Sequence, residues 1–495
     1  MVKVTIPFTT EETAGAKGSE QHSIGQQAAY RAPRPYTDCA SLTRLYCTIP
    51  AQQPEFDPMV TRRSFITAGS AAVVATACKS PDPAPATISG DSGVTASNTM
   101  PPAIAALASM KGQATPISVD ERKARIEKAR QLMAANTIDA LMLTGGTSMV
   151  YFTGMSWGNS ERLTGVIIPV KGAPFVVTPK FEEERTIEQV KLGPLGQGTE
   201  VLTWNEHESP SALVAQGLRA RGISVGKVGI EETVKFVFVD NLAQAAPQLR
   251  IVSGTPITAG CRTIKDAHEL ALMKLASAVT LKAYEAAYKS LKAGMTQDDF
   301  ADLVALAHKR LGFVGSAGVQ VGQFSALPHG SVTPQTVQEG SILLIDGGCK
   351  VEGYSSDFSR TFVLGKATDK MKQVFDIEHA AQTAAFKAAR PGVPCGDIDA
   401  VARKVIVDAG YGPDYKFFSH RVGHGMGMDG HEWPYLVRGN QLPLAPGMTF
   451  SDEPGIYIPG EFGIRLEDDW VVTADGAEMF TPQSPSLEDP FGAPR

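Results

Sequence analysis

The sequence predicts an α/β domain followed by a larger α+β region built from two related halves. Three observations lead there: helical stretches alternating with short apolar runs, an internal repeat at an offset of 98 residues, and an abrupt change of texture near residue 119. Residues 121–136 set Ile126, Leu132 and Met133 among Lys, Arg and Glu, the pattern of a helix with one apolar face. The runs at 140–143, 165–168 and 175–177 have the length and composition of buried strands. Further strands are expected around 228–230 and at Ile251, with helices near 181–190 and 211–221. That alternation defines an α/β domain over 119–255.

The second region, 262–480, carries the repeat. Ala283 to Lys289 (AYEAAYK) matches Ala381 to Lys387 (AQTAAFK). The register persists: Gly294 aligns with Gly392, Asp299 with Asp397, Phe300 with Ile398, and Gly312 with Gly410. Each copy reads as helix, glycine turn, helix, and Thr296 with Asp299 forms an N-cap pair in the first. Two halves related by pseudo-twofold symmetry bury a site between them.

The chain ahead of residue 119 has a different character. Arg62-Arg63 precede a short apolar, small-residue run from Ile66 to Ala77, too short to span a bilayer but suited to a signal-peptide core. Residues 59–78 are therefore expected to be a twin-arginine signal that exports the protein to the periplasm. Residues 1–58 read as a non-native extension ahead of a start at Met59, or as a long leader. Ala75-Thr76-Ala77 is an A-x-A cleavage site, while Cys78 behind it is a candidate lipidation site that would anchor the protein to a membrane. Residues 79–118, rich in Pro, Ala, Ser, Thr and Gly, read as a disordered linker with a short helix near 104–110.

Composition narrows the function. A content of 43% hydrophobic and 20% charged residues is that of an ordinary globular chain, and a net charge of −6 gives no footprint for nucleic acid. No apolar run reaches the length of a membrane span. Of the six cysteines, only Cys261, Cys349 and Cys395 lie beyond the leader, with no CxxC, so no disulfide framework is expected.

Three segments gather acids and histidines. In the first, Asp346 ends an apolar strand and is followed by Gly347 and Gly348, with Asp357 eleven residues on in SSDFSRT. An aspartate in that place is costly unless paired or metal-bound. The second, His420 to Glu432 (HRVGHGMGMDGHE), holds His420, His424 and His431 in a glycine-rich, extended backbone. The third carries Glu453 in DEPGIY and Glu467 in GIRLED. Four carboxylates and one imidazole from separated strands suit two oxygen-preferring divalent ions.

These motifs, with Pro328-His329-Gly330 ahead of them, occur in the order found in the pita-bread metallopeptidase family (M24). The chain resembles that family's Xaa-Pro branch, prolidase and aminopeptidase P, over 119–480. The resemblance implies a creatinase-like N-terminal α/β domain before a pseudo-twofold pita-bread catalytic domain. It further implies that Asp346 binds one ion, that His424 and Glu453 bind the other, and that Asp357 and Glu467 bridge both. Mn²⁺ is the expected metal, with Co²⁺ or Zn²⁺ as substitutes, and a homodimer is expected. Two ions sharing a water lower its pKa and hold it against the scissile carbonyl. Glu453 would handle its proton, while His329 and His431 resemble the histidines that contact substrate and stabilise the tetrahedral intermediate. His420 and Arg465 resemble residues that line the proline-side pocket and support the metal shell.

All five ligands are present, which argues against creatinase itself and against a metal-free binding protein on the same fold. The large N-terminal domain argues against methionine aminopeptidase. Between the remaining two activities, a dipeptidase must hold the substrate's C-terminal carboxylate, and arginine is the usual residue for that. Arg438, fifteen residues before Glu453, is the expected one. The reading therefore leans to an Xaa-Pro dipeptidase over an aminopeptidase acting on longer peptides, with a proline-containing di- or oligopeptide as substrate.

Overall fold

A computed structural model of the chain describes residues 100–492. The export signal, the cleavage site and Cys78 lie outside the described residues. The predicted linker does not extend to residue 118. Pro102–Ala105 is a helical turn, Ile104, Met110 and Ile117 are buried, and Met110 N donates to Leu311 O at 2.8 Å. Sparse apolar residues among Pro, Ala and Ser hid this, because the surface they cover belongs to a helix two hundred residues away.

The N-terminal domain starts at the helix Val119–Ala135, capped by Ser118 and Glu121 in a reciprocal pair. Its mixed sheet comprises β1 (Ala140–Thr144), β2 (Gly165–Pro169), β3 (Phe175–Pro179), β4 (Glu200–Trp204), β5 (Gly226–Ile230) and β6 (Leu249–Ser253), in the order β4-β3-β2-β1-β5-β6. β1, β2 and β3 are buried along their whole length and mostly apolar, because both faces are covered. Leu141, Leu143 and Val166 pack on one side, and Met142, Ile167 and Val177 on the other. The predicted strands and helices of this domain are all found. Sequence reasoning passed over β4 and the helices Thr147–Thr153, Phe236–Ala245 and Thr255–Arg262. Phe236–Ala245 opens FVFV, a strand-like run, yet leaves Phe236 and Val237 in solvent.

The repeat is realised element by element. Helices Ala267–Tyr288 and Gln297–Leu311 are matched by Asp369–Ala388 and Cys395–Asp408. Gly294 and Gly392 share φ near +90° (90° and 89°), as do Gly312 and Gly410 (96° and 92°). Gly294 N bonds Val337 O at 2.8 Å, and Gly392 N bonds Leu444 O at 2.9 Å. The same left-handed glycine and the same incoming extended segment, each with an isolated bridge beside it, recur in both copies, as a duplicated framework requires.

The halves carry one sheet each. The first has β7 (Gly315–Val321), β8 (Ile342–Val351), β9 (Tyr354–Ser355) and β10 (Phe358–Val363), ordered β10-β8-β7 with β9 on β8. The second involves β11 (Gly423–Gly425), β12 (Glu432–Leu436), β13 (Thr449–Asp452), β16 (Asp468–Val472) and β17 (Ala477–Met479), ordered β12-β11-β13-β16-β17. Between β13 and β16 the hairpin of β14 (Gly455–Ile458) and β15 (Phe462–Arg465) folds out. Each half buries its own core, around Phe300, Leu343 and Phe362 in the first and Ile398, Phe450 and Trp470 in the second. The sheets meet where Glu467 N donates to Ser359 O (3.1 Å) and Thr361 Oγ1 donates to Arg465 O (2.8 Å).

The two domains share buried charge. Arg125 of the first domain donates to Tyr354 Oη (2.8 Å) and pairs with Glu269 (3.3 Å), which accepts from the same tyrosine. Arg262 pairs with Asp429 and Glu432, so the junction helix holds both ends of the segment that carries His431.

Candidate metal centre

Asp346 sits in β8 and Asp357 immediately before β10, so the ribbon through β9 brings the second carboxylate back beside the first. The return is close: a Cβ on Gly348 would lie 2.0 Å from Ser356 O, so only glycine fits there. His424 is the middle of β11, Glu453 follows β13, and Glu467 precedes β16. Gly423 lets β11 approach equally closely, since a Cβ there would stand 2.2 Å from Ser451 O.

The five predicted ligands converge. Asp346, Asp357 and Glu467 offer oxygens within 4.8 Å of one another, and so do His424, Glu453 and Glu467 through their ligand atoms. Glu467 belongs to both groups, as a bridging carboxylate must. Asp357, His424 and His431 form a third such group. His424 Nδ1–H donates to Gly425 O (3.1 Å), which turns Nε2 inward, 3.2 Å from Glu453 and 3.8 Å from Asp357. An imidazole anchored through its other nitrogen is what a metal ligand needs.

Electrostatics point to missing positive charge. Burial pushes the Asp357 carboxyl up to about 7, helped by the Asp346 charge and opposed by His424. Burial raises Glu467 well above the carboxylate range, and Asp357, Glu453 and Asp346 raise it further. Burial would raise Glu453 too, but the hydrogen bond and charge of His424 hold it at about 2. Arg465 pairs directly with Asp346, at 2.7 Å, and its charge eases Asp357, Glu453 and Glu467 from further off. Divalent cations are the complement of a buried cluster with four carboxylates and so few cations. The donor set therefore fits two such ions.

The supporting residues are specific. Ser359 Oγ lies 2.7 Å from Glu467 and 3.2 Å from Asp346, and it accepts from Arg465 Nε at 2.8 Å. Arg465, 3% exposed, also donates to Pro328 O (3.1 Å) and Tyr457 Oη (3.0 Å). The Pro328 bond ties the loop bearing exposed His329 to the centre. Tyr457 in turn lies 2.7 Å from His420 Nε2, while His420 Nδ1–H donates to Arg421 O at 2.8 Å. His431 stacks on His424, ring centroids 3.8 Å apart, and its Nδ1 accepts from Arg421 at 3.1 Å. Asp469 accepts from Asp357 N at 3.1 Å, fixing that ligand from behind.

Arg438 does not fit its predicted role. Its side chain is 53% exposed and pairs with Asp414 at 2.9 Å over the Tyr415 ring, and none of its recorded contacts is a site residue. Spacing from Glu453 could not reveal a partner contributed by a separate loop. Sequence reasoning also passed over Arg421, Ser359, Tyr457 and Asp469. Three of them stand inside the motifs already singled out and Asp469 directly follows GIRLED, so only their contacts were missing.

Residues 271–474 match metallopeptidase family M24, and residues 125–264 match the creatinase/prolidase N-terminal domain. The probable dipeptidase PepE of Mycobacterium tuberculosis is 35% identical over 356 residues, covering 70% of this chain and 92% of that protein. This chain belongs to metallopeptidase family M24. An Xaa-Pro dipeptidase of Lactobacillus delbrueckii subsp. lactis is 32% identical over 73% of this chain and 98% of that protein. The crystal structure of dipeptidase PepE from Mycobacterium ulcerans superposes with a TM-score of 0.70 at 31% identity, covering 76% and 99% of the two chains. The M24 family uses a dinuclear divalent metal centre, and this M24 chain assembles carboxylate and histidine groups suited to one.

Proposed function

We propose that the chain is an Xaa-Pro dipeptidase working with two divalent ions, Mn²⁺ natively and Co²⁺ or Zn²⁺ as substitutes. The convergence of Asp346, Asp357, His424, Glu453 and Glu467 on one buried centre carries the reading. Relatives named for dipeptidase activity, matched along almost their whole length, support the substrate class. An oxygen-rich set with one imidazole favours Mn²⁺.

Ions bound there would supply a water of lowered pKa and polarise the scissile carbonyl. Asp357 and Glu467 would hold both ions, Asp346 one, and His424 with Glu453 the other. Glu453, ionised as a ligand of an ion, would accept the proton of the attacking water and pass it to the leaving proline nitrogen. His431 receives an N–H from Arg421 at Nδ1, so its own proton sits on Nε2 and is free to stabilise the developing oxyanion. His329 flanks the centre on the loop held by Arg465. His420, fixed by Tyr457, borders the proline side.

Purified protein, stripped and reloaded with Mn²⁺, is expected to cleave Ala-Pro at a higher kcat/KM than Ala-Pro-Ala. A tenfold or larger preference for the tripeptide, about 1.4 kcal/mol in transition-state binding, would make it an aminopeptidase. Cleavage of neither would remove the proline specificity.

The same proposal places the enzyme in the periplasm, exported folded through the twin-arginine route by Arg62-Arg63. Lysine at both positions is expected to keep activity in the cytoplasm, and unchanged periplasmic activity would count against the route. Membrane fractionation separates a lipid anchor at Cys78 from cleavage after Ala77.

A further inference from the structure

We infer that Arg421 recognises the free C-terminal carboxylate of the substrate, and so selects dipeptides; the inference rests on the dipeptidase reading above. Several guanidinium groups already face an acid. Arg465 pairs with Asp346, Arg360 with Asp468, Arg262 with Asp429 and Glu432, Arg403 with Asp399, and Arg438 with Asp414. Among the described residues Arg421 has no carboxylate partner. Its contacts are the Nδ1 of His431, at 3.1 Å, and the face of the Tyr435 ring, 4.0 Å from its central carbon.

That setting prepares the group for an anion. A guanidinium over an aromatic face keeps N–H groups for polar partners; one holds His431 Nδ1, and those that remain can grip a carboxylate through two hydrogen bonds. The side chain is half-buried, so it is reachable but partly desolvated. Its backbone is anchored on both sides. His420 O accepts from Arg403 at 2.7 Å, and Val422 is held by Asp399 at its N–H (3.0 Å) and by Glu453 N at its carbonyl (2.8 Å).

Position and charge agree. Both groups that hold the guanidinium are neighbours of the ligand His424: His431 stacks on its ring, and Tyr435 is its register partner across β11 and β12. Arg421 therefore stands one imidazole out from the metal centre. In an Xaa-Pro substrate whose scissile carbonyl is at that centre, the carboxylate lies one residue further, roughly 3.5 Å along the chain. A carboxylate arriving beside Asp346, Asp357, Glu453 and Glu467 is repelled unless a cation receives it. Arg421, among the described residues, is a cation beside the centre that pairs with no acid. In a tripeptide the same position holds an uncharged amide, which gains far less from the fork.

The competing account makes Arg421 only a support for His431, through the bond to Nδ1. The two differ in what loss of the residue does to substrates with and without the carboxylate. The test compares metal-loaded wild type, Arg421→Gln, Arg421→Lys and Arg438→Gln on Ala-Pro and on Ala-Pro-NH2, with metal content and melting temperature as controls. Arg421→Gln is expected to lower kcat/KM for Ala-Pro at least about 30-fold more than for Ala-Pro-NH2, the size of a lost charged hydrogen-bond pair. Inhibition by the product L-proline should weaken by a similar factor. Arg421→Lys, which keeps the charge without the fork, should recover part of the difference. Arg438→Gln should keep the wild-type ratio. Equal losses on both substrates in Arg421→Gln would overturn the inference and leave Arg421 as a positioning residue for His431. A wild type that favours Ala-Pro-Ala tenfold over Ala-Pro would instead overturn the dipeptidase reading, and the inference with it.

Discussion

Asp357→Asn and Glu467→Gln are each expected to lower kcat at least ~10³-fold, the scale of several kcal/mol of lost transition-state stabilisation. Bound metal should fall below two equivalents by elemental analysis of dialysed protein. Both substitutions keep the side chain's volume and remove only its charge. Asp357 N still donates to Asp469, and Glu467 N still donates to Ser359 O, so the fold persists. Their charges lie in the part of the cluster where negative groups crowd most closely, which is why burial and neighbouring acids drive both carboxyls upward. After chelation the variants should therefore unfold at no lower denaturant concentration than chelated wild type. A lower midpoint would mean that misfolding, not ligand loss, explains the activity. His431→Ala should behave differently. Its Nδ1 is already committed to Arg421, so metal should stay bound while kcat falls by on the order of 10² to 10³, the cost of one oxyanion donor. If His431→Ala loses metal while Asp357→Asn keeps it, the assigned roles are reversed, and His431 rather than Asp357 is the ligand beside His424.

The ligands were legible in the sequence because each is a charged or imidazole residue where a buried strand or glycine ribbon has no other use for one. The repeat was legible for a related reason. Gly294 and Gly392 must both adopt a positive φ, so the glycine spacing survives where the surrounding side chains do not. What escaped depends on partners far away in sequence. Residues 100–118 read as linker until Leu311 supplies the carbonyl that holds Met110. Arg438 read as a substrate group until Asp414 occupied it, and Arg421 passed unnoticed because its meaning lies in the carboxylate it lacks. Spacing along the chain records which residue types are present; it does not record which charges are already neutralised.

Arg465 illustrates the same point and supports the second large prediction. Arg465→Leu is expected to cost ~2–3 kcal/mol of stability in chelated protein, less than for a fully buried ion pair because the Asp346 side chain is 32% exposed. The guanidinium serves four groups at once: Asp346 Oδ2, Ser359 Oγ, Pro328 O and Tyr457 Oη. Leucine fills part of the space and leaves all four without that donor. Asp346 suffers most, since it faces Asp357 and Glu467 with no cation of its own. Metal would restore that cation, so the stability deficit should shrink in loaded protein, as read by urea unfolding with and without chelator. Activity should not be restored to the same degree. The loop carrying His329 loses its tie at Pro328, and Tyr457 loses one of the two contacts that orient it toward His420. A fall in kcat/KM of about 10- to 100-fold is expected even at saturating metal, as for other groups that orient ligands from behind. Arg465→Lys offers one point charge in place of a planar fork, so it should recover the Asp346 pairing and most of the stability, but not the bonds to Ser359, Pro328 and Tyr457 together. A stability deficit that metal leaves unchanged would show that Arg465 holds the β15 hairpin as a packing residue, and that Asp346 needs no neutralising partner.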